Sequence, residues 1–193
     1  MEYILTPYAR KMEPIAWWDN LFTNEELNWL QDKAKTAKGN AQVGDRAVGS
    51  VNESIRRSEL EWVRSSPDTK WVFEKLAHVA SSINTQFFGF NLTGFGEPIQ
   101  LTNYNSERMG MYEWHQDFGG SISRKLTLVV QLTDPAEYEG GNLEVMTKMD
   151  TETVPKRRGL ISAFPSWTLH RVSPVVRGTR QSLVVWISGP DFI

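Results

Sequence analysis

The sequence predicts a mainly β domain, a sandwich or barrel, propped by helices in its N-terminal half, and three observations predict it. Short runs rich in β-branched and aromatic residues recur from about residue 97 onward, separated by turn residues. Two patterns with helical spacing precede them. No internal repeat, low-complexity tract or linker divides the 193 residues. The chain therefore reads as one unit over 1–193, with helical support and leading strands over 1–96 and the β core over 97–193.

The first helix follows Thr23, which forms a capping-box pattern with Glu26 and leads into Leu27, Leu30, Ala34 and Ala37 before Gly39 stops the run. Residues 40–54 are polar and glycine-punctuated, and Ile55–Val63 reads as one strand. Ser66-Pro67-Asp68 opens a second helix through Trp71, Leu76, Val79, Ala80 and Ile83. The later strands are expected at Ile99–Tyr104, Lys125–Leu132, Asn142–Met146, Gly159–Phe164, Leu169–Val172 and Gln181–Ser188.

With 40% hydrophobic residues and eight tryptophans the chain can bury a substantial core. A formal charge of −2 gives no global attraction to nucleic acid or an anionic membrane. The absence of cysteine excludes disulfides, zinc–thiolate sites and thiol catalysis. The N-terminal segment lacks the pattern of an export signal, and no apolar run is long enough to span a bilayer, so a cytoplasmic location is expected. The sequons at Asn52 and Asn91 then read as chance. Lys156-Arg157-Arg158, the one hint of a phosphate contact, reads as a solvated turn.

Of only three histidines, two fall in the pattern His115-Gln116-Asp117 … His170. Two imidazoles and one carboxylate leave half of an octahedral ferrous ion free, which is the vacancy an oxygen-activating enzyme needs. Alternate residues of a strand share a face, so His115 and Asp117 are expected on one strand, with His170 arriving from another. A bare H-x-D pattern is weak, and taken alone His115 is better explained by a turn cap or by packing under Trp114. His78 lies in the second helix without an acidic partner pattern and reads as structural or exposed. In the last strand Arg180, Ser182, Val184 and Trp186 share one face, and Gln181, Leu183, Val185 and Ile187 share the other. The second face is a plain core face. The first is costly to bury unless a ligand satisfies the guanidinium, and a dicarboxylate would do so through arginine's planar fork. A surface ion pair on an edge strand is the alternative for Arg180, while Arg177 is expected to point to solvent.

Asn103-Tyr104, Met111 to Asp117, Glu139-Gly140-Gly141-Asn142-Leu143, and Pro165 to Pro174 through Gly178-Thr179-Arg180 together resemble the prolyl 4-hydroxylase branch of the Fe(II)/2-oxoglutarate dioxygenases, and above all its microbial peptidyl hydroxylase-like members. Ile55-Arg56-Arg57-Ser58 resembles a strand that often precedes this core. The resemblance implies a double-stranded β-helix, a cupin-like jelly roll buttressed by α-helices. It implies Fe(II) on His115, Asp117 and His170, with Arg180 on the distal carboxylate of 2-oxoglutarate, and dioxygen as cosubstrate. Tyr104, Ser182, Leu143 and the position of Gln131 would surround the cosubstrate, although Gln131 stands where some relatives carry a tyrosine. Tyr112, Trp186, Arg56 and Ser58 would face a substrate channel, with a proline-containing peptide or protein as substrate and ascorbate as accessory reductant. Nucleic acid and membrane are not expected partners. Two rivals share the scaffold: another metalloenzyme or a 2-oxoglutarate enzyme of different substrate, and a non-catalytic jelly-roll binding module.

Overall fold

The computed structural model describes residues 12–37, 39–41, 51–118, 121–147 and 150–191. In chain order they form β1 (Ala16–Trp18), α1 (Asn24–Lys35), β2 (Gly39–Asn40), β3 (Arg56–Arg57), β4 (Glu59–Val63), α2 (Lys70–Ile83), β5 (Gly94–Phe95), β6 (Ile99–Asn105) and β7 (Met111–His115). There follow β8 (Arg124–Gln131), β9 (Tyr138–Gly140), β10 (Leu143–Thr147), β11 (Asp150–Thr153), β12 (Ile161–Pro165), β13 (His170–Val172) and β14 (Val175–Ser188). Among the described residues, a nine-stranded sheet runs β1-β12-β8-β14-β6-β4-β2, with β5 and β9 also on β14, and faces a five-stranded sheet, β11-β10-β13-β7-β3. This is the double-stranded β-helix, with helices on the outer side of its larger sheet.

The alternation of β14 explains the layering. Leu183, Val185 and Ile187 point outward and join Leu101, Leu126, Leu128 and Val130 in a core closed by Leu30 of α1 and Val72, Leu76 and Val79 of α2. Helices of 12 and 14 residues are marginal alone in water, so this burial is what holds them. The capping box of α1 is present in both directions, from Glu26 N–H to Thr23 Oγ1 and from Thr23 N–H to Glu26 Oε2. The inward face of the large sheet meets Leu143, Val145 and Val172 of the small one.

The expected single strand Ile55–Val63 is two. Arg56–Arg57 pairs with β7 in the small sheet, and Glu59–Val63 pairs with β6 in the large one, so the chain crosses between sheets at Ser58. The last strand begins six residues before the expected Gln181, because Val175–Gly178 pairs with β9. The second helix starts at Lys70, after a turn in which the Thr69 and Lys70 N–H groups donate to the Ser66 carbonyl. The strands β1, β9 and β11 were not expected; each is short and, for β11, polar and exposed, so hydrophobic alternation has little to report there. His78 is exposed, as expected. Of the basic trio only Arg157 is exposed. Lys156 donates to the Gly140 carbonyl, and Arg158 binds Asn28, Gln31 and the Leu132 carbonyl. No helix among the described residues is long and apolar enough to cross a membrane.

Candidate metal centre and cosubstrate cavity

His115 ends β7 and His170 begins β13, and the two residues are direct partners across that strand pair. A register shift between the pairs His170–His115 and Val172–Tyr112 leaves β7 with one extra residue, a bulge. Tyr112 and His115, three apart, both line the same cavity in consequence. Asp117 is not on the strand, as the i and i+2 reading had it. It lies in the bend just beyond, where its N–H donates to the Ser166 carbonyl.

One ligand atom from each of His115, Asp117 and His170 lies within 4.8 Å of the others. Asp117 Oδ1 is 3.8 Å from His115 Nε2, and Oδ2 is 3.5 Å from His170 Nε2. Each imidazole anchors its other nitrogen: His115 Nδ1 lies 2.7 Å from the Glu113 carbonyl and His170 Nδ1 2.9 Å from the Thr168 carbonyl. A carbonyl accepts only, so Nδ1 carries the proton and Nε2 turns its lone pair inward, the tautomer a metal requires. Thr127 Oγ1 donates to Asp117 Oδ2 at 2.9 Å and contacts Ser166 Oγ at 3.0 Å. The donor set and its outer hydrogen bonds fit a ferrous ion with open positions.

In the metal-free protein His115 and Asp117 both resist protonation. Burial, then the neighbouring His170, pushes His115 down to about 3. Burial pushes the Asp117 carboxyl up, but the imidazoles of His170 and His115, with Trp186 and Arg124, outweigh it and hold the group below its ordinary value. The unfolded chain protonates a histidine near 6.5. His115 therefore has no effect on stability above that pH and destabilises progressively as pH falls from 6.5 toward 3, at up to about 1.4 kcal/mol per pH unit. Denaturant unfolding of chelator-treated protein between pH 7 and pH 4 is expected to show this loss and to show a shallower slope for His115→Gln; equal slopes would contradict it.

A cavity of about 450 Å³ opens beside the cluster and is lined from both sheets. Arg180, Ser182, Val184 and Trp186 reach it from β14, as the alternation predicts. Tyr104, the direct partner of Arg180 on β6, lines it too, with Tyr112, Leu143 and Arg56. Arg180 is only 3% exposed, its Nη1 is 3.4 Å from Ser182 Oγ, and no carboxylate pairs with it among the described residues. The Gly140-Gly141 turn makes room for it. Both glycines have positive φ, and a Cβ on Gly141 would lie 3.1 Å from Arg180 Cδ.

Two expected site residues lie elsewhere. Ser58 does not line the cavity; at the crossover between sheets, its Oγ accepts from Arg56 Nε at 2.9 Å and so supports Arg56 from behind. Gln131 lines a small neighbouring pocket, where its Nε2 donates to the Thr133 carbonyl and to Tyr138 Oη. Tyr138 thus brings a phenol beside Arg180 from a position seven residues further on, and the sequence signals this only through its place ahead of Glu139-Gly140-Gly141. The sequence reading also missed Arg124, which lies 4.0 Å over the Trp186 ring, donates to the Asp117 carbonyl and pairs with Glu97. Trp62 and Gln100 also line the cavity. Nothing in local periodicity marks these as site residues, because each is chosen by register between strands distant in sequence.

Residues 99–188 match the model of the 2OG-Fe(II) oxygenase superfamily. A PKHD-type hydroxylase of Teredinibacter turnerae is 37% identical over 73 residues, 37% of this chain and 32% of that protein. The chain spans 32% and 45% of the length of the first two curated relatives it matches. Among solved structures, a prolyl hydroxylase of Trichoplax adhaerens in complex with a hypoxia-inducible factor peptide superposes with a TM-score of 0.75 at 16% identity, covering 91% of this chain and 83% of that one. A Pseudomonas putida prolyl-4-hydroxylase superposes at 0.71 with 17% identity, covering 92% and 94%. The matched segment carries the two histidines, the aspartate and Arg180 inside a double-stranded β-helix, and over it the chain is similar to the 2OG-Fe(II) oxygenase superfamily.

Proposed function

We propose that the protein is an Fe(II)- and 2-oxoglutarate-dependent dioxygenase that hydroxylates an aliphatic C–H bond, with a prolyl residue of a peptide as its substrate. The observation that carries this reading is the buried Arg180, without a carboxylate partner among the described residues, in the same cavity as the His115, Asp117 and His170 cluster. A guanidinium so desolvated needs an anion, and its planar fork suits a carboxylate. The prolyl hydroxylase complexed with a peptide, a neighbour in fold, supports a peptide substrate.

His115, Asp117 and His170 would hold the ferrous ion. When bound, iron with 2-oxoglutarate and dioxygen supplies the oxidising power, placing one oxygen atom in the substrate C–H bond and the other in succinate, with release of carbon dioxide. The chain's own share is placement and exclusion of water. Arg180 and Ser182 would take the distal carboxylate of 2-oxoglutarate, with Tyr104 alongside and Tyr138 and Gln131 bracing the guanidinium. Leu143, Val184 and Trp186 supply apolar wall that keeps bulk water from the metal face. Thr127 fixes the rotation of Asp117, so that the carboxylate faces both imidazoles without a search. Tyr112, Trp186 and Arg56 would line the path of the substrate.

The test is mass spectrometry of proline-containing peptides incubated with the iron-loaded protein and 2-oxoglutarate. A gain of one oxygen matched by succinate is the expected result. Failure to release succinate with any peptide, cell extract or oligonucleotide, together with failure to bind Fe(II) anaerobically, would favour a non-catalytic jelly-roll module.

A further inference from the structure

The cavity holds a second buried cation that the cosubstrate does not use. Arg56 is 7% exposed, and its Nε and Nη2 donate at 2.9 Å to Ser58 Oγ and Gln100 Oε1. Both acceptors are neutral, and Gln100 Oε1 is shared with Thr102. These bonds orient the guanidinium but leave its charge unanswered, and no carboxylate pairs with it among the described residues. Nη1 has no acceptor there either. The charges lining the cavity point the same way: four arginines against one aspartate. Arg124 is answered by both oxygens of Glu97, Asp117 faces the metal position, and Arg180 faces the cosubstrate end. Arg56 remains, with the exposed Arg64 nearer solvent. With water largely excluded from a guanidinium that lacks a carboxylate, an anion brought to it gains more than it would at the surface.

We infer that the substrate carries a carboxylate that pairs with Arg56 inside the cavity. This rests on the proposed function and narrows its substrate class. Arg56 lies on the small sheet, one ring away from the metal cluster: its guanidinium is 4.4 Å from the Tyr112 ring, which stacks on His115 with centroids 3.4 Å apart. A carboxylate held there belongs to the residue presented to the metal or to its immediate neighbour. The two sources are the C-terminal carboxylate of a chain ending in proline and an acidic side chain next to the proline.

Calorimetry under nitrogen, on protein loaded with iron and saturated with 2-oxoglutarate, separates them. Three short acetylated peptides are compared: one ending in proline amide, one ending in free proline, and one with aspartate after proline and an amidated end. At least one carboxylate peptide is expected to bind the wild type about tenfold or more tighter than the neutral one, and the one that gains names the source. Arg56→Gln should cut the preference to about threefold or less, the residue being screened attraction to Arg64. Arg56→Lys should restore part of it. Equal binding of all three peptides by the wild type overturns the inference and leaves the proposed function standing, as does a loss of affinity for all three in equal proportion in Arg56→Gln, which would make Arg56 a prop for Tyr112. Absence of 2-oxoglutarate binding would overturn both.

Discussion

His170→Ala is expected to abolish iron-dependent turnover and to leave anaerobic Fe(II) binding weakened by more than about 100-fold, since loss of an outer-shell partner alone costs about 10- to 100-fold. His170 is 5% exposed and packs on Phe164 and His115, with ring centroids 4.7 and 4.1 Å apart. Truncation therefore also opens a cavity, and a thermal melt of the metal-free variant must accompany the assay. The larger variant His170→Gln fills that space and supplies a poorer ligand, so it should lose turnover with less loss of stability. Full succinate production by folded His170→Ala would refute the ligand assignment. No other histidine can take the place of His170: His78 is exposed on α2, and His115 already belongs to the cluster.

Arg180→Lys should raise the apparent KM for 2-oxoglutarate by about 10- to 100-fold, the range expected when a bidentate charged contact becomes a single point contact. The rate at saturating cosubstrate should fall much less, because the metal ligands stay in place. Arg180→Met goes further and separates function from stability. It deletes the fork altogether, so the loss in 2-oxoglutarate affinity should exceed that of lysine. It also removes a buried charge with no carboxylate partner among the described residues, and the apolar side chain carries no comparable desolvation cost. The metal-free, ligand-free Arg180→Met protein is therefore expected to melt at or above the wild-type temperature while failing to use 2-oxoglutarate. Unchanged KM in Arg180→Lys, measured by succinate release, would remove Arg180 from the cosubstrate site.

These two expectations rest on the same division of labour between the sheets. The small sheet brings the imidazoles together as cross-strand partners, and the large sheet supplies the guanidinium. Between them lies a space whose polar groups point inward, while the outer face of the large sheet is closed by helices. Arg56 belongs to the small sheet only because the chain changes sheets at Ser58. Had Ile55–Val63 been a single strand, Arg56 and Trp62 would have been placed by one register, and a second cation could not stand beside the metal cluster on the opposite wall from Arg180.

Legible along the chain were the two helices of the N-terminal half and the strand-rich second half, the capping box of α1, the two faces of β14, and the set His115, Asp117, His170 and Arg180. Each of these is written locally, in a period of two or 3.6 or in the chemistry of a few side chains. Packing of the two sheets sets the bulge that turns Tyr112 and His115 into one cavity, the sheet crossover that presents Arg56 and withdraws Ser58, and the arrival of Tyr138 beside Arg180 where the resemblance puts Gln131. It also decided that Arg124 answers Glu97 while Arg56 and Arg180 meet no carboxylate among the described residues. The physical reason is range: alternation and capping are fixed by neighbours within a few residues, whereas register, bulges and the pairing of buried charges are settled by strands that lie far apart along the chain and close only once the two sheets face each other.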